Sequence, residues 1–269
     1  MINDFIFDGR QLSDFGYIAV FEGSQDDIDV SVMQYEDVKA ALSDISYKVS
    51  HSYEDNLTST FLIMKNPCEY YDEDSYLTND EISEMTKWLA RKQYKWFRLI
   101  DEEDNDEIWY KAQFQVKKEY AADKVVGLKL TVNTNAPYGF TREFVNKYEV
   151  RTDNPAVRKI IVTSDEEGQI FPDVKITNNS AQDFSLAIEF NGQTIETKID
   201  NCSADEVITI GGETLQISSS IDHDFTTDFN YAFPCINNLY GNSVNTLHLG
   251  GGNYDIELAY RGIRKVGLI

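Results

Sequence analysis

The chain has 269 residues, 42% hydrophobic and 13% aromatic, with 46 acidic against 24 basic residues and a formal net charge of −22. That length suits about two domains of ~150 residues, each able to bury a core without a disulfide or metal staple, and the apolar content excludes a disordered polyelectrolyte. Acids outnumber bases 29 to 16 through residue 150 and 17 to 8 beyond it, so neither half reserves a basic stripe for phosphates, which argues against sequence-specific nucleic-acid binding.

The opening, Met1 to Gly16, carries Asp4, Asp8 and Asp14 with no basic region or apolar run, so it does not read as a signal peptide. No segment approaches the ~20 apolar residues of a membrane span. Strand-like alternation begins at Tyr47, Val49 and His51, the period of a chain with one buried face. From Thr78 to Lys92 the spacing changes, with Ile82, Met85, Trp88 and Leu89 on one helical face. Thr78 and Glu81 are placed for a capping box, and acids at the start with Lys87, Arg91 and Lys92 at the end complement the helix dipole. Period two returns at Ile108 to Val116 and Leu128 to Val132.

A polar stretch from Arg142 to Pro155 then suggests the connection between an N-terminal domain, 1–145, and a C-terminal domain, 146–269. The second half reads as short strands: Val174 and Ile176; Phe184 to Phe190; Leu215 and Ile217; Tyr254 to Tyr260. Asn178-Asn179, Asn191-Gly192, Gly211-Gly212 and the run from Gly250 to Asn253 separate them, and Asn-Gly is the dipeptide of a tight hairpin. Many short strands with regular turn signals indicate a β-sandwich with Leu186, Ile188, Phe190, Ile256 and Leu258 in its core. The fold class is mainly β, two β-rich domains with one α-helix in the first.

Little in the chain resembles catalytic machinery. The three histidines, His51, His223 and His248, form no metal-ligand pair. Asp222-His223-Asp224 sets a base between carboxylates, yet neighbours on a strand point apart and no nucleophile accompanies them. There is no nucleophile elbow, and Gly250-Gly251-Gly252 reads as a turn, not a phosphate loop. The run Asp101 to Glu107 is the best metal candidate, but without the spacing of a calcium loop it reads as a solvated hairpin tip; Asp26-Asp27-Ile28-Asp29 and Asp72-Glu73-Asp74 read likewise. Tyr70, Tyr71 and Tyr76 offer a possible aromatic patch, although most aromatics serve packing. Cys68, Cys202 and Cys235 are too few and too scattered for a disulfide framework. The expectation is therefore a non-enzyme with no catalytic, cofactor-binding or metal-binding residues.

The block from Leu77 to Leu89, followed by Tyr94-Lys95-Trp96-Phe97-Arg98-Leu99, resembles the distal tail proteins of long-tailed, siphovirus-type bacteriophages. Similar in order are Trp109-Tyr110-Lys111-Ala112, Leu128 to Val132, and Asn135-Ala136-Pro137-Tyr138-Gly139. The opening Phe5-Ile6-Phe7-Asp8-Gly9, with Phe15-Gly16-Tyr17, is similar to that family's first hairpin, although the family more often has Asn at position 8. Phe171 to Ile176 and Phe233-Pro234 through Ser243 are similar to its C-terminal domain.

The resemblance implies an N-terminal domain that forms a hexameric ring continuing the tail tube, and a galectin-like C-terminal β-sandwich. It implies as partners other copies of the chain, the tail tube protein, a tail-tip or tail-associated protein, and a receptor-binding protein. DNA would only pass through the channel, the protein would sit at the distal end of the virion tail, and no membrane insertion is implied. The alternative is a β-sandwich module that binds host-surface carbohydrate; the second half lacks Trp, so any sugar platform there falls to Tyr.

Overall fold

A computed structural model describes residues 3–21, 33–39, 46–53, 55–70, 75–100, 107–151, 156–250 and 252–268. The chain divides into two compact units, Met1–Phe140 with Arg264–Ile269, and Thr141–Ile263.

The first unit contains β1 (Asp4–Phe7), β2 (Arg10–Gln11), β3 (Tyr17–Val20), β4 (Met33–Lys39), β5 (Ser46–Tyr53) and β6 (Thr58–Lys65). Helix α1 (Asn79–Leu89), β7 (Lys95–Ile100), β8 (Tyr110–Ala121), β9 (Lys124–Thr134) and β10 (Gly139–Phe140) follow. Seven strands pair in the order β2-β1-β7-β8-β9-β6-β3, while β4 and β5 form a hairpin of their own. Alternation along β8 and β9 turns Tyr110, Ala112, Phe114, Leu128, Leu130 and Val132 inward to one buried cluster.

Helix α1 covers that face. Thr78 Oγ1 accepts from the Glu81 amide at 3.3 Å while Glu81 Oε2 accepts from the Thr78 amide at 2.7 Å, so the capping box is formed. Ile82, Met85, Trp88 and Leu89 are buried. Trp88 stacks 5.7 Å from Phe5, and its indole N–H donates to the Phe7 carbonyl at 2.9 Å, which satisfies the ring's polar edge inside the core. The helix stops at Leu89, short of Lys92. Arg91 leaves the helical register to pair with Asp8 at 3.0 Å, and the Lys92 carbonyl accepts from Gln113 Nε2 at 3.0 Å. The chain end closes this unit: Leu268 is buried in its core and the Gly267 carbonyl accepts from the Tyr110 hydroxyl at 2.5 Å.

The second unit begins with β11 (Phe144–Val150), β12 (Ala156–Ile161), β13 (Gly168–Ile170), β14 (Asp173–Asn178), β15 (Gln182–Phe190) and β16 (Gln193–Cys202). It continues with β17 (Val207–Gly211), β18 (Gln216–Ser219), the short helix α2 (Phe225–Asp228), β19 (Ile236–Asn238), β20 (Val244–Leu249) and β21 (Tyr254–Tyr260); the two-residue β22 (Ile263–Arg264) comes last in the chain. Sheets β11-β21-β14-β17-β18 and β12-β20-β15-β16 supply one shared apolar cluster, the arrangement of a β-sandwich. Leu186, Ile188, Phe190, Ile256 and Leu258 are all buried.

Asn191 and Gly192 adopt positive φ (50° and 75°) and close β15 onto β16 with Phe190 opposite Gln193, a turn open to these two residue types at low strain. Two details differ from the sequence reading. The polar stretch expected to hold the connection is largely β11, paired with β21 from Phe144 to Val150; its inward residues are spaced by polar ones, so it reads as a loop. Leu215 is not a strand residue but an exposed turn residue at φ 50°, and β18 starts one position later.

Candidate functional site

The best-built polar cluster surrounds His223, in the long connection between β18 and β19. Its ring stacks on Phe225 at 4.4 Å, and Nδ1 lies 2.7 Å from Oε1 of the buried Glu206. The Ser219 hydroxyl donates to Glu206 Oε1 at 2.6 Å and the Ser203 amide to Oε2 at 2.7 Å. Burial alone would raise the Glu206 carboxyl, but the hydrogen bonds from Ser219, Ser203 and His223 outweigh it and hold the group below the usual carboxylate range. Nε2 of His223 is 3.5 Å from Asp228 Oδ2 without hydrogen-bond geometry. The sequence neighbours are therefore not the partners: Asp222 is exposed, and Asp224 caps α2 by accepting from the Thr226 amide at 3.2 Å. The ring pins the connection to the β16–β17 corner and meets no nucleophile.

His248 lies on the outer face of β20, with Nε2 3.1 Å from Glu189 Oε2. It borders a shallow cleft of about 390 Å³ together with Val157, Ser185, Ala187 and Glu196. Glu196 accepts from Ser185 and pairs with Lys198, which together lower its carboxyl. The cleft lining holds no Tyr, Trp or Phe, the aromatic faces that usually serve as platforms for sugar rings. His51 stands on β5 opposite Tyr35.

Asp101 to Asp106 lie outside the described residues, as do Asp26 to Asp29, Tyr71 and Asp72 to Asp74; Glu107, which closes the acidic run, pairs with Arg98 at 3.1 Å. Among the described residues no group of three or more His, Cys, Asp or Glu is placed to hold a metal ion. Tyr70 and Tyr76 sit under the ammonium groups of Lys65 and Lys124, at 5.1 and 4.2 Å. Among the described residues no helix is long and apolar enough to cross a membrane.

The surfaces are more distinctive than the clefts. The outward rows of β6, β9 and β8 place Thr58 beside Asn133 and Gln113, and Thr60 beside Thr131 and Gln115. Thr58 donates to Asn133 at 3.3 Å and the Thr60 and Thr131 hydroxyls meet at 3.2 Å. Six hydroxyl and amide side chains without a carboxylate thus share two outward rows on a chain of net charge −22. In the second unit a hairpin tip holds Tyr240 almost wholly in solvent. That tip was not legible beforehand, because an exposed tyrosine and a buried one are indistinguishable outside a periodic strand.

Comparison with known proteins follows the same division of the chain. Residues 1–136 match the family model described as phage tail protein N-terminal domain, and residues 138–260 match the phage tail C-terminal domain. Among solved structures, the phage SPP1 Dit protein (gp 19.1), described as a paradigm of the hub adsorption apparatus in phages infecting Gram-positive bacteria, superposes with a TM-score of 0.61. Identity is 11%, over 97% of this chain and 99% of that one. A chain of the phage p2 baseplate in its strontium-activated conformation gives a TM-score of 0.53 at 8% identity, over 96% and 98% of the two chains. A chain of the calcium-activated phage P2 baseplate gives 0.53 at 10% identity, over the whole of both. At these identities the likeness is one of fold. No curated protein sequence matches the chain.

Proposed function

The chain belongs to the phage tail protein family, and from that premise we propose that it is a distal tail hub whose N-terminal unit assembles as a six-fold ring joining the tail tube to the tail tip and passing DNA during ejection. The observation that carries this reading is the end-to-end match of the two-unit fold to the SPP1 Dit protein. A hub needs two separable tasks, ring closure and attachment of the tail-tip apparatus, and the chain offers a sheet-and-helix unit and a β-sandwich for them.

The chemistry supports an assembly role. His223 and Glu206 are spent on holding a connection in place, and His248 is paired with Glu189. Ring copies hold one another through strand edges and buried aromatics and require no active site. Among the described residues the terminal strands of the seven-stranded sheet are β2 and β3, and the Ala19 amide of β3 already donates to the Asn3 carbonyl. Docked partners in this reading are the tail tube protein on the ring and tail-tip or receptor-binding proteins on the sandwich. The cleft beside His248 is lined by no Tyr, Trp or Phe, so it offers no flat ring to the carbohydrate alternative.

Negative-stain images of the purified chain, alone and with its tail tube protein, test the proposal. Six-fold rings with an open centre are expected. Single two-lobed particles under both conditions would contradict it.

A further inference from the structure

Tyr240 is 96% exposed, and the backbone that presents it is braced more heavily than an idle loop requires. Leu239 and Asn242 exchange two backbone hydrogen bonds, at 3.0 and 2.9 Å, so Tyr240 and Gly241 form the whole tip, with Gly241 at φ +82° supplying the left-handed residue. The Tyr240 amide donates to Glu167 Oε1 at 2.5 Å, and Asn242 Nδ2 donates to Asn191 Oδ1 on the neighbouring hairpin at 2.5 Å.

Beneath the tip, two buried asparagines complete the frame. Asn245 accepts from the Asn237 amide and donates to the Asn237 carbonyl, both at 2.8 Å. Asn238 donates to the carbonyls of Glu166 and Ser164, at 2.8 and 3.1 Å. Burying amides is costly unless they are bonded, and when bonded they rigidify the backbone around them. The frame therefore fixes the backbone that presents a large, amphipathic side chain to water.

Exposed apolar side chains flank the tip along the chain and on the paired strand. Leu239 is 41% exposed; Val244 (38%) and Ile161 (67%) face each other across the β12–β20 pair, and the Val162 amide bonds the Ser243 carbonyl beside them. An exposed tyrosine on a braced turn, with exposed apolar side chains on the flanking segments, has the composition of a binding hot spot, where Tyr is enriched. The rim decides the partner. Glu167, whose Oε1 accepts from the Tyr240 amide, is exposed beside the tip, whereas Lys159 and Glu189 in the next row are balanced across Thr246. A second copy of this chain would bring further negative charge to an acidic rim.

We propose that the 239–242 tip docks into an apolar pocket rimmed by Lys or Arg on a different polypeptide of the phage tail, with Tyr240 as the anchor. The proposal rests on the tail-hub reading for the location of its partner. It is tested in assembled virions carrying Tyr240→p-benzoylphenylalanine, irradiated and analysed by mass spectrometry. The expected result is an adduct to one other tail polypeptide, in a segment bearing Lys or Arg. A second substitution, Ile161→Lys, is expected to lower adduct yield about tenfold, the loss that accompanies ~1.4 kcal/mol of binding, with the melting temperature unchanged. An adduct to another copy of this chain, an adduct in an acidic segment, or no adduct overturns the docking site. Virions that lack the chain overturn the tail-hub reading itself and the site with it.

Discussion

His223 shows how a buried imidazole can be structural in every contact it makes. Removing it in His223→Ala leaves the buried Glu206 carboxylate with two donors in place of three. The expected cost is about 1–3 kcal/mol, the penalty for stripping a partner from a buried charged group, read from urea denaturation. Acid response follows from the same carboxylate. Its pKa is depressed on folding, so in the window between the folded value and the unfolded ~4.3 the unfolded chain binds more protons. The stability it contributes is complete above that window and disappears as pH falls through the folded value. Wild-type protein should therefore lose more melting temperature than Glu206→Gln between pH 6 and pH 3, and equal losses would contradict the assignment. Thiols behave according to burial: Cys202 and Cys235 are buried and pushed up to about 11, whereas Cys68 is exposed. An aromatic disulfide reagent at pH 8 should find one fast thiol per folded chain and three after denaturation.

At the level of elements, helix α1 locks the first core. Leu89 is completely buried against the sheet, so Leu89→Ala is expected to cost about 2–5 kcal/mol, and Thr78→Ala about 1 kcal/mol through loss of the cap. A thermal melt unchanged by Leu89→Ala would remove the packing account. This helix was legible because Thr78, Glu81 and the 3.6-residue spacing all state the same structure. Its end was less so: Arg91 and Lys92 look like the last basic turn, but tertiary partners at Asp8, just past β1, and in β8 draw them out of it. The Asn191-Gly192 hairpin was equally legible, since its backbone needs positive φ at two successive residues. β11 and β12 were not, because edge strands alternate weakly: β12 exposes Val157, Arg158, Lys159 and Ile161. The partners of His223 were illegible for a different reason. Glu206 lies 17 residues away, and only the folded corner brings the two together.

On the scale of the whole molecule, each unit carries its own apolar cluster, and residues 141–263 expressed alone should melt cooperatively as an independent β-sandwich. Charge then governs assembly. In the proposed ring, six copies at −22 would carry about −132, which would repel a polyanion from any lumen that lacks a concentrated basic lining and so suit a conduit through which DNA slides freely. Neighbouring subunits repel one another for the same reason, so closure depends on short-range strand pairing and apolar burial, and salt should favour it by screening. Mass photometry of the purified chain across a salt series, alone and with its tail tube protein, tests the hub account most directly. The account predicts a species of six copies that gains population as salt rises. A chain that remains monomeric at every salt and concentration, with and without the tube protein, would contradict it.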